Sequence, residues 1–506
     1  MRMLFANPPS RTDGGSGLEK VHVRTGSRWP FSYLSPAGAP FLYYAPFPFF
    51  LATAASVLRE RGHEVSGVDC LVTGWGRDRF LEFARASGAG AVVLETSPAT
   101  EVMDMENIRP LAEQGWTVIV AGPHATARAR ELLAAHPWVR FVLRGEYEYS
   151  LADVAEALEK GIDPRNARIP GLVVRDGEGL HEVPGLGAVT DPDRLPFPAR
   201  DLFPGGGFSH SGYRDNIAPE KFCLQLHSGR GCPRGCSFCL WNQVLFPGRG
   251  YRPFAPARVA DEIEFFIQSF RPHSFYFDDD SFTADPAHAR AICGCLRDRG
   301  LRVTWYCMAD LEGLSPDLLR EMAAAGCRGV KFGVEGAWDR VLVPEGKKSM
   351  GARAREIAAA AAAVGIRTHA TFCVGFPEET PESLAATRSL ILSLKTDSIQ
   401  CSLCIPYPGT SLYRRLEREG RLLTREMGAY DGSRPLIANP RLGNDELRRF
   451  RARIAREWVR RRVRSPAWLK RQAGYFRSLA ATRGLRGAAA WIQGVKTAER
   501  GVRDGV

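Results

Sequence analysis

Ser228-Gly-Arg-Gly-Cys232-Pro-Arg-Gly-Cys236-Ser-Phe-Cys239 is the stretch from which the rest of the chain can be read. Three of the twelve cysteines fall inside it, and the other nine are scattered as small hydrophobes would be. The N-terminus, MRMLFANPP, has neither the apolar core nor the small-residue cleavage site of a signal peptide, so a reducing cytoplasm and free thiols are expected. Gly231 and Gly235 are expected to supply the backbone angles of a tight loop around a bulky ion cluster. Three thiolates can hold three irons of a cubane and leave the fourth iron open, as a catalytic centre requires. Zinc is the alternative reading, with His227 or Cys223 near enough in sequence to be a fourth ligand. The cysteines of CSLC at 401–404 lie in a strand pattern that points them to opposite faces.

The loop follows LQL, the first of six apolar runs. SFYFDDDSF, VTWYCMAD, GVKFGVEG, THATFCVGF and SIQCSLCIPY continue the series, with helical periodicity between them. Six strand–helix repeats over residues 218–440 predict a partial (β/α)6 barrel; an eightfold barrel takes about 250 residues. Upstream, RMLFA, HEVSGVDC, AVVLETS, WTVIVAG and RFVLRGE alternate with short amphipathic helices. That pattern predicts an α/β, doubly wound, flavodoxin-like sheet over residues 1–162. Residues 163–217 are richer in Pro and Gly and read as a connector, with a hairpin at IPGLVVRDGEGLHEVPG. After Asn7-Pro8-Pro9 a Gly/Ser-rich and aromatic-rich stretch runs to about Pro48.

The net charge of +12 is concentrated. Residues 441–506 carry 18 Lys/Arg against 5 Asp/Glu, which leaves residues 1–440 close to neutral. This basic tail reads as helical, with Phe450, Ile454, Trp458 and Val459 near one face and Trp468, Tyr475, Phe476 and Trp491 among further arginines. Two expectations stay open: packing on the barrel with a solvated cationic face, or peripheral contact with an acidic membrane. The uncharged run from Phe31 to Leu58 is broken by Pro36, Pro40, Pro46 and Pro48 and is not expected to span a bilayer.

C-x3-C-x2-C with aromatic Phe238 before the last cysteine, placed after the first barrel strand, resembles the radical S-adenosylmethionine superfamily. Further pieces match in order over about residues 218–435. Phe277-Asp278-Asp279-Asp280 stands where the superfamily carries a segment contacting the methionyl amine, though the glycines are missing. Gly333-Val-Glu335 ends the fourth strand. Gly375-Phe-Pro-Glu378 resembles the last half of the adenine-binding motif, with Thr371 and Cys373 in place of its glycine and its apolar residue. Pro406-Tyr-Pro-Gly-Thr410 resembles the sixth-strand motif. The resemblance implies a [4Fe–4S] cluster on Cys232, Cys236 and Cys239. It also implies S-adenosylmethionine against Phe238, Asp279, Asp280, Glu335, Gly375 and Glu378, and an external one-electron reductant of flavodoxin or ferredoxin type.

The N-terminal domain has no G-x-G-x-x-G after its first strand. It resembles instead the cobalamin-binding domain of the B12-dependent branch. The matching pieces are Asn7-Pro8-Pro9, Arg61-Gly62-His63 before Val65 and Asp69, Thr96-Ser97, Ala121-Gly122-Pro123-His124 and Arg144-Gly145-Glu146. The implied corrin contacts are Asn7, Pro8, Ser97, Gly122, His124, Gly145 and Glu146. The D-x-H-x-x-G motif is absent, since Asp69 to Gly74 carries Leu71 at the histidine position, so cobalt without a protein histidine is expected. A tRNA methylthiotransferase, which has three N-terminal cysteines, is excluded because only Cys70 precedes Cys223. The resemblance implies methylation of an unreactive carbon or phosphorus centre of a small biosynthetic intermediate. The alternative is a rearrangement, ring contraction or oxidative cyclisation without methyl transfer. No sequence-specific nucleic acid is expected.

Overall fold

The computed structural model describes residues 1–24, 30–38, 44–177, 179–205, 209–248 and 250–504; of residues 482, 487 and 490–504 it gives the backbone only. Trp491 therefore lies outside the described side chains.

The first strand, β1 (Arg2–Asn7), is buried from Met3 onward. In the Gly/Ser-rich and aromatic-rich stretch, to which the sequence assigned no element, β2 (Arg11–Gly15), β3 (Leu18–Val23) and β4 (Phe31–Pro36) form an antiparallel sheet. β2 has no apolar residue, and the alternation in Val21-His22-Val23 and Phe31-Ser32-Tyr33 is too short for periodicity to pick out. Helix Phe49–Glu60 follows, buried from Phe49 through Leu58 because it packs on the sheet and also faces the barrel. Then come β5 (Glu64–Asp69), β6 (Ala91–Glu95), β7 (Thr117–Ala121) and β8 (Phe141–Leu143). The parallel strands lie in the order β5-β1-β6-β7-β8, the flavodoxin-like order with its switch point beside β1.

The expected hairpin is present as β9 (Leu172–Asp176) and β10 (Gly179–Glu182). It does not float in a connector but adds two antiparallel strands to the edge of the N-terminal sheet. The helices at Glu101–Glu113 and Gly122–Ala135 begin earlier than their apolar runs suggested. Their first turns bury Glu101, Asp104 and His124, polar residues whose partners lie elsewhere in the fold.

In the second half, β11 (Cys223–Leu226) enters the cysteine loop. Two short strands, β12 (Gly229–Arg230) and β13 (Arg252–Pro253), bracket that loop as an antiparallel pair. The barrel continues through β14 (Ser274–Phe277), β15 (Trp305–Ala309), β16 (Cys327–Glu335), β17 (Arg367–Val374) and β18 (Ser398–Leu403). These form one parallel sheet, β11-β14-β15-β16-β17-β18, open between its first and last strands. Alternate residues Val330, Phe332 and Val334 pack outward into the main core. Lys331, Gly333 and Glu335 therefore face the barrel interior.

The basic region is the helix Asn444–Arg462 and the helical span Pro466–Asp504, which is broken at Gly484 (φ +70°). Ile454 and Trp458 are buried in the barrel core, which bears out packing on the barrel. Val459 points the other way and is exposed. The second helix bridges the open side: Arg471 pairs with Asp397 ahead of β18, while Tyr475 Oη donates to Asn216 O and Arg483 to Glu220 O ahead of β11. It also packs along β4. No described helix is long and apolar enough to cross a membrane.

Candidate functional site

A gap opens at the carboxyl ends of the first barrel strands, against Phe50 of the N-terminal half. It is lined by Phe50, His227, Gly229, Arg230, Trp241, Phe246, Asp278 and Asp280. The aromatic wall is continuous, with Phe50 against Trp241 at 5.8 Å and Trp241 against Phe246 at 6.1 Å between ring centroids.

The cysteine loop forms the barrel side. Gly231 has φ +83°, and a Cβ there would come within 2.1 Å of Gly250 O, so this position requires glycine. Gly235 has no left-handed angle and open space around it, contrary to the sequence expectation. The close approach at that turn belongs to Gly346, whose added Cβ would stand 2.6 Å from Gly235 O. Two residues after Cys239 the chain makes a π-turn, Trp241–Leu245, with Phe246 N–H donating to Trp241 O at 2.7 Å.

Burial pushes all three thiols above their ordinary range, Cys232 to about 11. Such thiols are poor free nucleophiles and ionise when a cation binds. Backbone N–H groups already point at sulfur: Arg234 at Cys232, and Trp241 and Asn242 at Cys239. Donors aimed at thiolate sulfur suit an iron–sulfur cluster. Among the described residues no three potential ligands converge on a single ion. A cubane spreads its thiolates over three irons and makes no such demand. The zinc alternatives do not join the loop: His227 stacks on Phe49 at 3.9 Å, and Cys223 is buried in β11.

Around the cysteines the implied S-adenosylmethionine residues take distinct places. Phe238 is buried against Phe376 at 5.3 Å. Asp279 is committed to the cysteine loop, accepting Ser228 N–H at 2.9 Å and its hydroxyl at 2.8 Å, and burial pushes it up to about 7. Asp280 faces the gap and its charge reaches Cys232 and Cys239. Glu335 sits at φ +61° after a register shift in β16 and pairs with Lys347 at 3.2 Å. A glutamate in that conformation is strained by about 1–3 kcal/mol, a cost that concentrates at functional sites. Gly375, at φ +85°, donates its N–H to Glu379 at 3.1 Å. Glu378 turns outward to Arg441 and Arg421. Glu379, which sequence reasoning passed over, holds the turn; its buried position beside an exposed twin gave no signal in the sequence. In the Pro406–Thr410 stretch, Tyr407 Oη donates to Pro30 O at 2.8 Å and Thr410 caps the helix Ser411–Arg418.

On the N-terminal sheet, Asn7 ends β1 beside Asp69, and Pro8 O accepts from Arg24 at 2.8 Å. Arg24 also pairs with Asp104, which accepts from Thr96. Ser97 bonds Thr100. Gly122 is left-handed at φ +91°, and a side chain there would crowd Glu95. His124 Nε2 lies 2.7 Å from Glu101 Oε2, which holds Glu101 well below the usual carboxylate range. Gly145, at φ +82°, has Gly187 O against it. Glu146 turns toward the barrel, pairing with Arg230 at 3.0 Å and Arg252 at 2.8 Å. Ser10 Oγ is buried without a hydrogen-bond partner just beyond β1, leaving a donor for a ligand. Glycine-lined strand ends with an orphaned hydroxyl and no histidine after β1 fit a corrin held without a protein ligand to cobalt.

The barrel interior is polar. Strand register sets Met308, Lys331, His369 and Ser398 side by side, with Thr371 and Gln400 one layer above. Lys331 pairs with Asp215, and His369 Nδ1 lies 2.8 Å from Ser398 Oγ. A closed barrel would fill this space with Val, Ile and Leu.

The radical SAM superfamily profile matches residues 226–391, and that of the B12 binding domain matches residues 43–155. This chain is a cobalamin-dependent radical S-adenosylmethionine enzyme. A [4Fe–4S] cluster, S-adenosylmethionine and cobalamin are accordingly its cofactors. It is 26% identical over 393 residues to an uncharacterised methyltransferase of Pyrococcus horikoshii, covering 77% of this chain and 83% of that one. It is 23% identical to the cytidylyl-2-hydroxyethylphosphonate methyltransferase of Streptomyces wedmorensis, covering 76% and 81%. Among solved structures, the radical S-adenosylmethionine methyltransferase TsrM of Kitasatospora setae shares the fold. It matches with a TM-score of 0.65 and 17% identity, over 95% of this chain and 88% of that one.

Proposed function

We propose that this enzyme methylates an unreactive carbon or phosphorus centre of a small biosynthetic intermediate. The observation that carries the reading is the meeting of the cysteine loop with the carboxyl edge of the N-terminal sheet, where Arg230 pairs with Glu146 and Glu148 next to the left-handed Gly145. Its similarity to named methyltransferases supports it.

In this reading residues 1–162 form the cobalamin-binding domain, 163–217 the connector, 218–440 the radical barrel and 441–506 a basic helical region. Bound together, the cofactors supply a radical that removes substrate hydrogen and a methyl group to replace it. The chain's own residues do the placing. Cys232, Cys236 and Cys239 hold iron, and the N–H groups at sulfur favour their ionised form. Phe238, Asp280, Glu335 and the left-handed Gly375 border the space for S-adenosylmethionine, while Asp279, bound to Ser228, and the outward-turned Glu378 lie beside it. Asn7, Pro8, Ser97, Gly122, His124 and Gly145 would hold the corrin, with Glu146 next to Gly145 in the chain. Lys331, His369, Ser398 and Gln400 offer hydrogen bonds to a polar substrate in the barrel interior. Electrons come from an external flavodoxin- or ferredoxin-type protein.

Incubation of the anaerobically reconstituted enzyme with methyl-labelled S-adenosylmethionine and a candidate substrate tests this. Label in the product supports transfer; an unlabelled, rearranged product replaces it with the cyclisation or ring-contraction reading.

A specific observation also favours membrane contact by the cytoplasmic enzyme. Val459, Leu469 and Phe476, on helices rich in arginine, and Val463 between those helices are all more than two-fifths exposed. Apolar side chains among cations suit an acidic lipid surface.

A further inference from the structure

Glu146 and Glu148 leave the N-terminal sheet two residues apart and both turn toward the barrel, while Tyr147 between them turns back to Glu95. The Arg230 guanidinium divides its two amino groups between them, Nη1 to Glu146 at 3.0 Å and Nη2 to Glu148 at 2.5 Å. Arg252, the cross-strand partner of Arg230, reaches the same Glu146 at 2.8 Å. Val189 N–H completes the Glu146 carboxylate at 3.2 Å. Both glutamates have no exposed side-chain surface, and that of Arg230 is 4% exposed. Aromatic faces cover both cations, Phe50 for Arg230 and Phe246 for Arg252. Two cations and two anions balance, so the array is neutral without a ligand.

Each end of the array is stiff. One residue separates Arg230 from Cys232, and that residue is the left-handed Gly231, closed against Gly250 O. On the other side Glu146 N–H donates to Gly187 O, and Gly187 N–H to Arg144 O. A Cβ on Gly187 would stand 2.3 Å from Glu146 O. Movement of either loop is therefore passed to the other.

We propose that Arg230, with Glu146, Glu148 and Arg252, is a positioning array that sets the separation between the cysteine loop and the Gly145 loop. Resting on the two-cofactor reading above, it thereby fixes the spacing of cluster and corrin. A planar fork that serves two carboxylates cannot be replaced by a point charge, so lysine at 230 loses one of them.

Arg230→Lys and Glu146→Gln test this in the reconstituted holoenzyme, by two measurements. Amide hydrogen exchange in residues 144–148 and 229–239 should quicken together by at least about tenfold, with residues 91–95 and 330–334 unchanged. The magnetic dipolar interaction between reduced cluster and cob(II)alamin should broaden or shift at wild-type cofactor content. Faster exchange in only one of the two segments, or an unaltered dipolar interaction, overturns the proposal. Should either variant fail to fold, Glu148→Gln leaves the Glu146 pairs in place and must show the same effects in weaker form. A wild-type protein that takes up no corrin would sink the two-cofactor reading; the exchange experiment would still judge the coupling of the loops.

Discussion

Tyr147 Oη donates to Glu95 Oε1 at 3.1 Å, and both residues are buried at the carboxyl edge of the N-terminal sheet. Burial pushes Glu95 up to about 8. Its folded value lies above the ordinary 4.5, so the folded state holds the proton more tightly. The contribution of this group to stability is fullest below about pH 4.5 and falls as pH rises toward 8. Glu95→Gln should remove that slope, gaining on wild type by about 2–5 kcal/mol between pH 5 and 8. Urea unfolding midpoints across that range measure it; parallel profiles for the two proteins would refute it.

Serine at Cys232, Cys236 or Cys239 should abolish the brown absorption of the reconstituted protein. Production of 5′-deoxyadenosine should fall by at least about a thousandfold, because one lost thiolate unseats the cluster. Folding should change by no more than about 1–2 kcal/mol, since Cys232 and Cys239 are only half-buried and serine differs from cysteine by one atom. Full iron content in any single variant would remove that residue from the ligand set.

Glu335 is held left-handed, and only its side chain meets Lys347. Glu335→Gln keeps the backbone and removes the charge. It should raise the KM for S-adenosylmethionine about tenfold with a smaller change in kcat. Glu335→Gly relaxes the strain and should stabilise the apoprotein by about 1 kcal/mol while losing the same affinity. Thermal unfolding and steady-state kinetics separate the two effects.

Leu469→Asp with Phe476→Asp should reduce co-sedimentation with phosphatidylglycerol vesicles about tenfold or more. The same protein should ignore phosphatidylcholine vesicles before and after the change. Equal sedimentation of variant and wild type would leave the exposed apolar residues as ordinary surface.

The parallel strands were legible because strands buried on both faces must be runs of Val, Ile and Leu, as Ala91–Glu95 is. The cysteine loop was legible because three ligands of one cluster must be close in sequence when one loop supplies them. Arg24 was not legible, since its partner Asp104 lies eighty residues away and a lone arginine in a Gly/Ser-rich segment looks solvated. Glu146 was found, but for a corrin contact; its observed partners come from the barrel, and pairing across domains leaves no local periodicity. Glu95 and Tyr147 escaped for the same reason: their relationship exists only once β6 and the chain beyond β8 reach the same edge of the sheet, with β7 between them.

The six-stranded barrel is missing staves, and the helix Pro466–Asp504 lies across the opening from Asp397 to Glu220. On a ribosome both edge strands emerge well before that helix is made. Until it arrives, two unpaired strand edges and the polar interior stand open to water, a state that invites false pairing and recruits chaperones. Assembly of the metal centre thus competes with a barrel still waiting for its last brace.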